Sequence, residues 1–427
     1  MFKLFKVKLL TLLIVCAFLT PSSRGCGDTF VSREQENNFD DVITEKSFVQ
    51  SRVLGNCCLV AGMAALPGNA ELLHRVLPSN FTKSQKNLQF NIYRAGELHR
   101  VEADAKSLPT KEGGSELVYS SSANGDMVGP LLEKALIDVH FGGDYESSEP
   151  TNPSTVLASF TNGYYEQFPI VSHNYGFKIS DVVKHGLKSN SPMVVQFAGA
   201  PGLFEEHCYT LLDVKNGTVK LYNPHGSYLQ MTESDFYEYL QSLDIAYYKN
   251  KIFRMPQVEA SFEFKETWPA LQQHEKIRFV GYDLFIDEND TEVLLNFLAK
   301  NATLLRDPSD VYPKFFILAV DNKKGEESLR IVRNSVVRGF RKPNLKQIVS
   351  FTCSLRARLN SGRYKVVVAL STCCSFDNSA SIEEHLRDGR GEFLFRLAAS
   401  KRCSVSKPPS KETEMVEEVL NDLIARK

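Results

Sequence analysis

The sequence predicts an α+β chain in three parts: a helix-rich first segment, a β-rich second segment and a trailing antiparallel β-sandwich. Three observations predict it. A small-residue apolar run, Cys57 to Leu66, follows a Gly55-Asn56 turn and reads as a buried helix. Two β-branched and aromatic runs flank Asn216-Gly217, the strongest short hairpin signal. Beyond residue 260, short strand-like runs bracketed by turn residues recur as far as residue 400, the pattern of a sandwich.

The chain has 427 residues, enough for two or three domains, and a globular composition with 43% hydrophobic and 24% charged residues. Its net charge of −1 points to no nucleic-acid and no membrane-surface partner. Lys3, Lys6 and Lys8 precede the apolar run Leu9 to Leu19, which is too short to span a bilayer. With Pro21 to Gly25 as a cleavage zone, residues 1–25 read as a secretory signal peptide. The predicted location is therefore secreted or lumenal, with no transmembrane helix.

Residues 26–142 read as mainly helical with loops. Helices are expected at Ala61–Leu66, Asn69–Val76 and Pro130–Val139, with an exposed Gly/Ser-rich loop from Ser107 to Asp126. After the break at Gly142-Gly143, residues 143–257 are β-rich. Strands are expected at Pro192–Phe197, His207–Val214 and Thr218–Tyr222. Residues 258–403 make the sandwich, with strands at Phe315–Val320, Ile348–Phe351, Tyr364–Leu370 and Glu392–Leu397. Residues 404–427 open with Lys407-Pro408-Pro409-Ser410, a linker signal. A helix follows whose apolar face is Met415, Val416, Val419, Leu420, Leu423 and Ile424, with Thr413 as N-cap.

Chemistry concentrates in three short stretches. Cys57 sits where a helix starts, so backbone N–H groups and the helix dipole favour its thiolate. A two-residue turn at Asn216-Gly217 sets Lys215 opposite Thr218 and, carried back, His207 opposite Gly226. That brings His207 and Asn223 to one end of the hairpin. A thiol, an imidazole base and an amide that orients the imidazole are the parts of a cysteine protease. Of the nine cysteines, Cys16 leaves with the signal. An oxidising compartment allows disulfides among Cys353, Cys373, Cys374 and Cys403, with pairing open. No CxxC or zinc-ligand spacing occurs.

Several blocks in order resemble the calpain-type cysteine proteases. Gln50 with Leu54-Gly55-Asn56-Cys57 is similar to Gln…Leu-Gly-Asp-Cys-Trp. Leu131 to Ala135, Gly143 to Glu146 and Phe160 to Gly163 resemble the join between that family's protease subdomains. Glu206-His207-Cys208-Tyr209 is similar to Gly-His-Ala-Tyr, and Leu221 to Gly226 to Arg-Asn-Pro-Trp-Gly. Met231 to Leu243 fits the helical segment that follows. Ser361-Gly362-x-Tyr364 and Gly391 to Arg396 resemble the family's β-sandwich domain. The resemblance implies a papain-like core of two subdomains, 26–142 and 143–257, ahead of that sandwich. It implies Cys57 as nucleophile, His207 as base and then acid, Asn223 as its orienter, and Gln50 as an oxyanion donor beside the Cys57 N–H. Protein or peptide substrates follow.

The departures are specific. One extra residue separates Gln50 from Cys57. Asn56 replaces Asp, and Cys58 and His225 each replace a Trp. The resemblance implies two calcium sites, yet Ser47 stands where a carboxylate is expected, and Gly226 leads almost directly to Met231. Calcium takes 6–8 oxygen ligands, several of them carboxylate. Asp287 to Glu292, the nearest EF-hand-like stretch, lacks its turn glycine. The expectation is calcium-independent activity with no cofactor. Two alternatives stand beside it: a catalytically silent homologue that binds peptides, and a redox or metal protein built on Cys57, Cys58, His207 and Cys208. The family is mostly cytosolic, which is the alternative location.

Overall fold

Asn56 turns the chain into α1 (Cys57–Ala64), a helix buried on nearly every side. That is what a run without charges predicts. The computed structural model describes residues 43–420 except 78–80, 83, 111–116, 150, 171–175, 206, 256, 268–276, 300–310, 324–325, 335–351, 373–391, 408–414 and 417–418. The expected signal peptide, Cys16, Cys26, Cys373, Cys374, Glu206 and Thr413 lie outside these residues. So does the expected strand Ile348–Phe351. The described residues belong to one compact unit, Asn38–Lys427.

The next helix, α2 (Ala70–Val76), is capped by Asn69, whose Oδ1 accepts the Leu72 N–H at 3.0 Å. A correction follows. Residues 87–104, expected within a helical region, form the antiparallel hairpin β1 (Asn87–Arg94) and β2 (Glu97–Asp104). The cause is a period of two: Leu88, Phe90 and Ile92 are buried while Gln89 is exposed. The long helix α3 (Val128–Phe141) ends on left-handed Gly142. After it, α4 (Pro153–Thr161) begins with an Asn152 cap and Pro at its first position. Val60, Met63, Leu72, Phe90, Leu132, Val156 and Phe160 share one core. So α4 packs with the first half although it follows the Gly142-Gly143 break.

The chain then enters β3 (Tyr165–Pro169), α5 (Ile179–Lys188), β4 (Met193–Phe197), β5 (Cys208–Lys215), β6 (Thr218–Asn223) and β7 (Ser227–Thr232). A single-helix reading of Met231–Leu243 is overturned. A short α6 (Glu233–Tyr239) gives way to β8 (Leu240–Ala246), the second strand of a six-stranded antiparallel sheet ordered β3-β8-β4-β5-β6-β7. Leu243 and Ile245 are fully buried there with Val182, Val183, Met193 and Val195. Burial between two neighbouring strands overrides local helix preference.

The sandwich follows as β9 (Ala260–Thr267), β10 (Ile277–Ile286), β11 (Thr291–Ala299), β12 (Val311–Lys323), β13 (Glu326–Asn334), β14 (Thr352–Leu359), β15 (Gly362–Thr372), β16 (Glu392–Ala399) and β17 (Cys403–Ser406). Its antiparallel sheets run β13-β12-β15-β10-β17 and β14-β11-β16-β9. Tyr282, Phe297, Phe315, Val366 and Phe395 fill the space between them. Helical residues Val416 and Leu420 of the tail dock on Leu318, Val367 and Ala369, as the apolar face predicts.

The sandwich is bolted to the sheet through β3. Asn296 accepts the Tyr165 N–H at 2.9 Å and donates to Tyr165 O at 2.8 Å. Arg356 grips Glu166 with two charge-assisted bonds, at 2.7 and 2.6 Å, in nearly complete burial.

Candidate active site

The Asn216-Gly217 turn forms with both residues at positive φ, 52° and 75°, as a two-residue hairpin turn requires. Lys215, Val214 and Asp213 pair with Thr218, Val219 and Lys220 in the expected register. A bulge between Leu211 and Asp213 then shifts the pairing by one residue, so Leu211 faces Leu221 and Thr210 faces Tyr222. Extended backwards, that register sets His207 opposite His225 rather than Gly226. The two rings lie 4.8 Å apart, centroid to centroid.

His207 and Asn223 meet. His207 Nε2 is 2.9 Å from Asn223 Oδ1. The same Oδ1 accepts the His225 backbone N–H at 3.0 Å, which fixes the amide with its oxygen toward the imidazole. His207 Nε2 therefore carries the proton and donates, and in the neutral ring Nδ1 is the acceptor. Both side chains are buried. Tyr209, His225 and Phe204 surround the imidazole, with centroids 4.9, 4.8 and 5.6 Å from it. His225 and the exposed Phe204, 5.4 Å from each other, cover the place the resemblance gives to a Trp. Phe204 carried no signal in the sequence, because its loop is short and without a motif. Tyr209 lay inside a matched block and could have been singled out.

The first helix is pressed against the histidine strand. Cys57, Ala61 and Ala65 recur every four residues on one face of the α1 segment and pack with Val194 and Cys208. Thr210 Oγ1 donates to Ala61 O at 2.7 Å. On the opposite side, a Cβ at Gly62 would lie 2.7 Å from Val156 Cγ1, so only glycine lets α4 come this close. Upstream of α1, Gly55 N–H donates to Glu149 at 2.9 Å, and Asn56 Nδ2 donates to Glu133 Oε1 at 2.6 Å. Cys57 stands at the first helical position, buried, as a thiol. In its thiolate form it acts on Tyr209, whose hydroxyl pKa is raised by burial first and by Cys57 as well. Cys57 and His207 thus share Tyr209 as a neighbour.

The disulfide expectation needs correction. Cys58, on α1, is bridged to Cys208, on β5, with Cα atoms 4.9 Å apart. Cys353 and Cys403, expected as bridge candidates, are buried thiols. The bridged Cys58 cannot serve as nucleophile. Cys57 Sγ lies 3.9 Å from Cys58 Sγ, with the Cys57 thiol as the only donor of the two. Cys57, Cys58 and Cys208 sulfurs lie within 4.8 Å of one another, but the bridge removes two of the three thiolates a metal would need. Gln196 Nε2 points at Cys208 Sγ, 3.0 Å away.

Gln50 lies between the two halves. Its N–H donates to Pro224 O at 2.8 Å, and its Nε2 donates to Leu54 O at 2.7 Å.

Asp126 and Glu133, two buried carboxylates of the helical half, are surrounded by hydrogen-bond donors. Asp126 Oδ2 accepts from Ser47 Oγ and Ser122 Oγ, both at 2.8 Å, and Oδ1 accepts the Val128 N–H. Glu133 is buried and accepts from Asn56 and Ser120, with burial pushing its pKa up. These carboxylates face N–H and O–H donors, the opposite of a cation's oxygen shell. Beyond Asn223 the chain makes a tight turn, Pro224-His225-Gly226, with Asn223 paired to Ser227 and no acidic loop. Asp287 to Glu292 connects β10 to β11, and its Glu288, Asp290 and Glu292 pair with Lys401, Arg358 and Arg356. Among the described residues, no helix is long and apolar enough to cross a membrane.

Residues 31–234 match the model of the calpain family cysteine proteases. The calpain-1 catalytic subunit of Sus scrofa is 35% identical over 120 residues, 27% of this chain and 16% of that protein. That of Gallus gallus is 33% identical over 138 residues, 31% of this chain and 19% of that protein. The chain therefore spans less than a fifth of the length of these curated relatives. Among solved structures, a clostridial cysteine protease after propeptide cleavage is 12% identical with a TM-score of 0.24, over 85% of this chain and 86% of that one. That likeness is too weak to carry an argument.

Proposed function

We propose, from the match of residues 31–234 to the calpain family cysteine protease model, that this chain is a cysteine endopeptidase working without calcium. The observation that carries the proposal is the His207–Asn223 bond, 2.9 Å long and locked by the His225 N–H. It holds the imidazole in the tautomer a thiol needs opposite it.

In this reading His207 Nδ1 takes the Cys57 proton, and the thiolate attacks the scissile carbonyl carbon. Negative charge on the carbonyl oxygen is met by the Cys57 N–H and by the second N–H of the Gln50 amide, whose first is held by Leu54 O. His207, now cationic, protonates the leaving amine. Water then attacks the thioester with His207 as base, releasing the acid product and the Cys57 thiol. Asn223 keeps the ring in place throughout. Substrates are extended peptide segments of proteins, bound in the cleft between the helical half and the sheet. A secreted or lumenal location is supported by the Cys58–Cys208 bridge, a feature of oxidising compartments.

Hydrolysis of an unstructured protein by the wild type and by Cys57→Ala, each with calcium and with chelator, tests both parts. The wild type is expected to cleave equally in the two media, and Cys57→Ala not at all. Equal cleavage by Cys57→Ala refutes the nucleophile. Collapse in chelator with recovery on calcium refutes calcium independence. No cleavage by the wild type, with slow uniform alkylation of its thiols, leaves a peptide-binding homologue as the better reading.

A further inference from the structure

The disulfide lies at a singular place. Cys58 directly follows Cys57, and Cys208 directly follows His207. The bridge therefore joins the neighbour of the nucleophile to the neighbour of the base, across 150 residues of sequence. One end is in the first turn of α1, which belongs to the helical half. The other is the first residue of β5, in the six-stranded sheet.

Beside the bridge, this seam is held by close packing of small side chains. Alanines line the helix side, so side-chain interlock is shallow. Thr210 Oγ1, on β5, donates to Ala61 O of α1 across the seam. Gln196, on β4, directs its Nε2 at both bridged sulfurs, at 3.0 and 3.5 Å. Opening the bridge turns a fixed link into a half-buried thiol and a buried one beside a third. Relative sliding of α1 and β5 then carries Cys57 and His207 with it, because each is one peptide bond from the seam.

Resting on the endopeptidase reading above, we propose that Cys58 and Cys208 are positioning residues: their disulfide sets the register of Cys57 against His207, and the bridged form is the competent one. The redox requirement is split. Cys57 acts only as a thiol, while its two neighbours act only as a disulfide. A reductant strong enough to open the bridge disables the enzyme although it spares the nucleophile.

The test compares the wild type with Cys58→Ser/Cys208→Ser, and also uses wild type reduced by dithiothreitol and then reoxidised. Non-reducing peptide mapping is expected to return a Cys58–Cys208 link. No link, or a Cys57–Cys58 link in its place, overturns the proposal. Well below the melting temperature, the double variant is expected to lose about 10²-fold in kcat, the scale of a misplaced reacting group, with little change in KM. The pH profile of iodoacetamide labelling at Cys57 is expected to move toward that of an ordinary thiol. A bridge that only stabilises the fold lowers the melting temperature and leaves the kcat and the labelling profile alone, which overturns the proposal. Should the double variant not fold, the reduced wild type gives the same two readouts, and reoxidation is expected to restore them. An inactive bridged wild type sinks the endopeptidase reading. The labelling profile still decides the positioning claim in that case, because it needs no turnover.

Discussion

Asp244 shows what one buried carboxyl does to stability. It lies wholly buried on β8 and accepts the Ser154 hydroxyl from α4. Burial, against the opposing hydrogen bonds, pushes its pKa from 3.8 up to about 7. A carboxyl whose folded pKa lies above the unfolded value contributes stability at low pH. That contribution is lost as pH rises from about 4 through 7. Asp244→Asn keeps an acceptor for Ser154 and removes the charge. The variant is expected to melt higher than the wild type at pH 8, by at most about 4 kcal/mol in stability for a shift of roughly three units. The gap is expected to close toward pH 4. A melting difference that is the same at both pH values refutes the assignment.

At the scale of elements, α1 is the part on which the chemistry depends, and its position is set by contacts on two sides. Gly62 admits Val156 of α4, while Ala61 and Ala65 admit the sheet. Gly62→Val drives a branched side chain into Val156 and is expected to cost about 1–3 kcal/mol, the usual price of overpacking. If the proposed endopeptidase activity holds, kcat is expected to fall with it, because α1 carries Cys57. Combining Gly62→Val with Val156→Ala restores room and is expected to recover part of both losses. Denaturant melts and peptide turnover on the three variants check this, and an unchanged midpoint for Gly62→Val rules it out.

Across the whole molecule, the sandwich and the six-stranded sheet are joined by buried polar groups. Arg356 on β14 holds Glu166 on β3, and Tyr247 adds a hydroxyl to the same carboxylate. Arg356 also reaches Glu292 at 3.3 Å. Removing the guanidinium leaves Glu166 charged and buried without its main partner. Arg356→Ala is therefore expected to destabilise the protein by about 3–5 kcal/mol. Pairing it with Glu166→Gln is expected to recover part of that loss, since Glu166 no longer carries an orphan charge while Glu292 still lacks its Arg356 partner. Urea unfolding of the single and double variants measures it, and a loss under about 1 kcal/mol, the range of an exposed pair, refutes a buried lock.

Local signals were enough for much of this. The small apolar run after Gly55-Asn56 marked α1, helices were expected where α2 and α3 form, and Asn216-Gly217 with its flanking β-branched runs marked the β5–β6 hairpin. Cys57, His207 and Asn223 stood out as candidates because each sits at the end of such an element. The β1–β2 hairpin was also there to read, in the alternation of Leu88, Phe90 and Ile92. Other features were decided only when distant segments met. β8 became a strand because two neighbouring strands bury it. The bulge near Leu212 moved His225, rather than Gly226, opposite His207. Phe204 came to shelter the imidazole from a loop with no motif. Above all, Cys58 chose Cys208 over every other cysteine, because a disulfide depends on where two sulfurs are brought together, and 150 residues of sequence separation carry no such information.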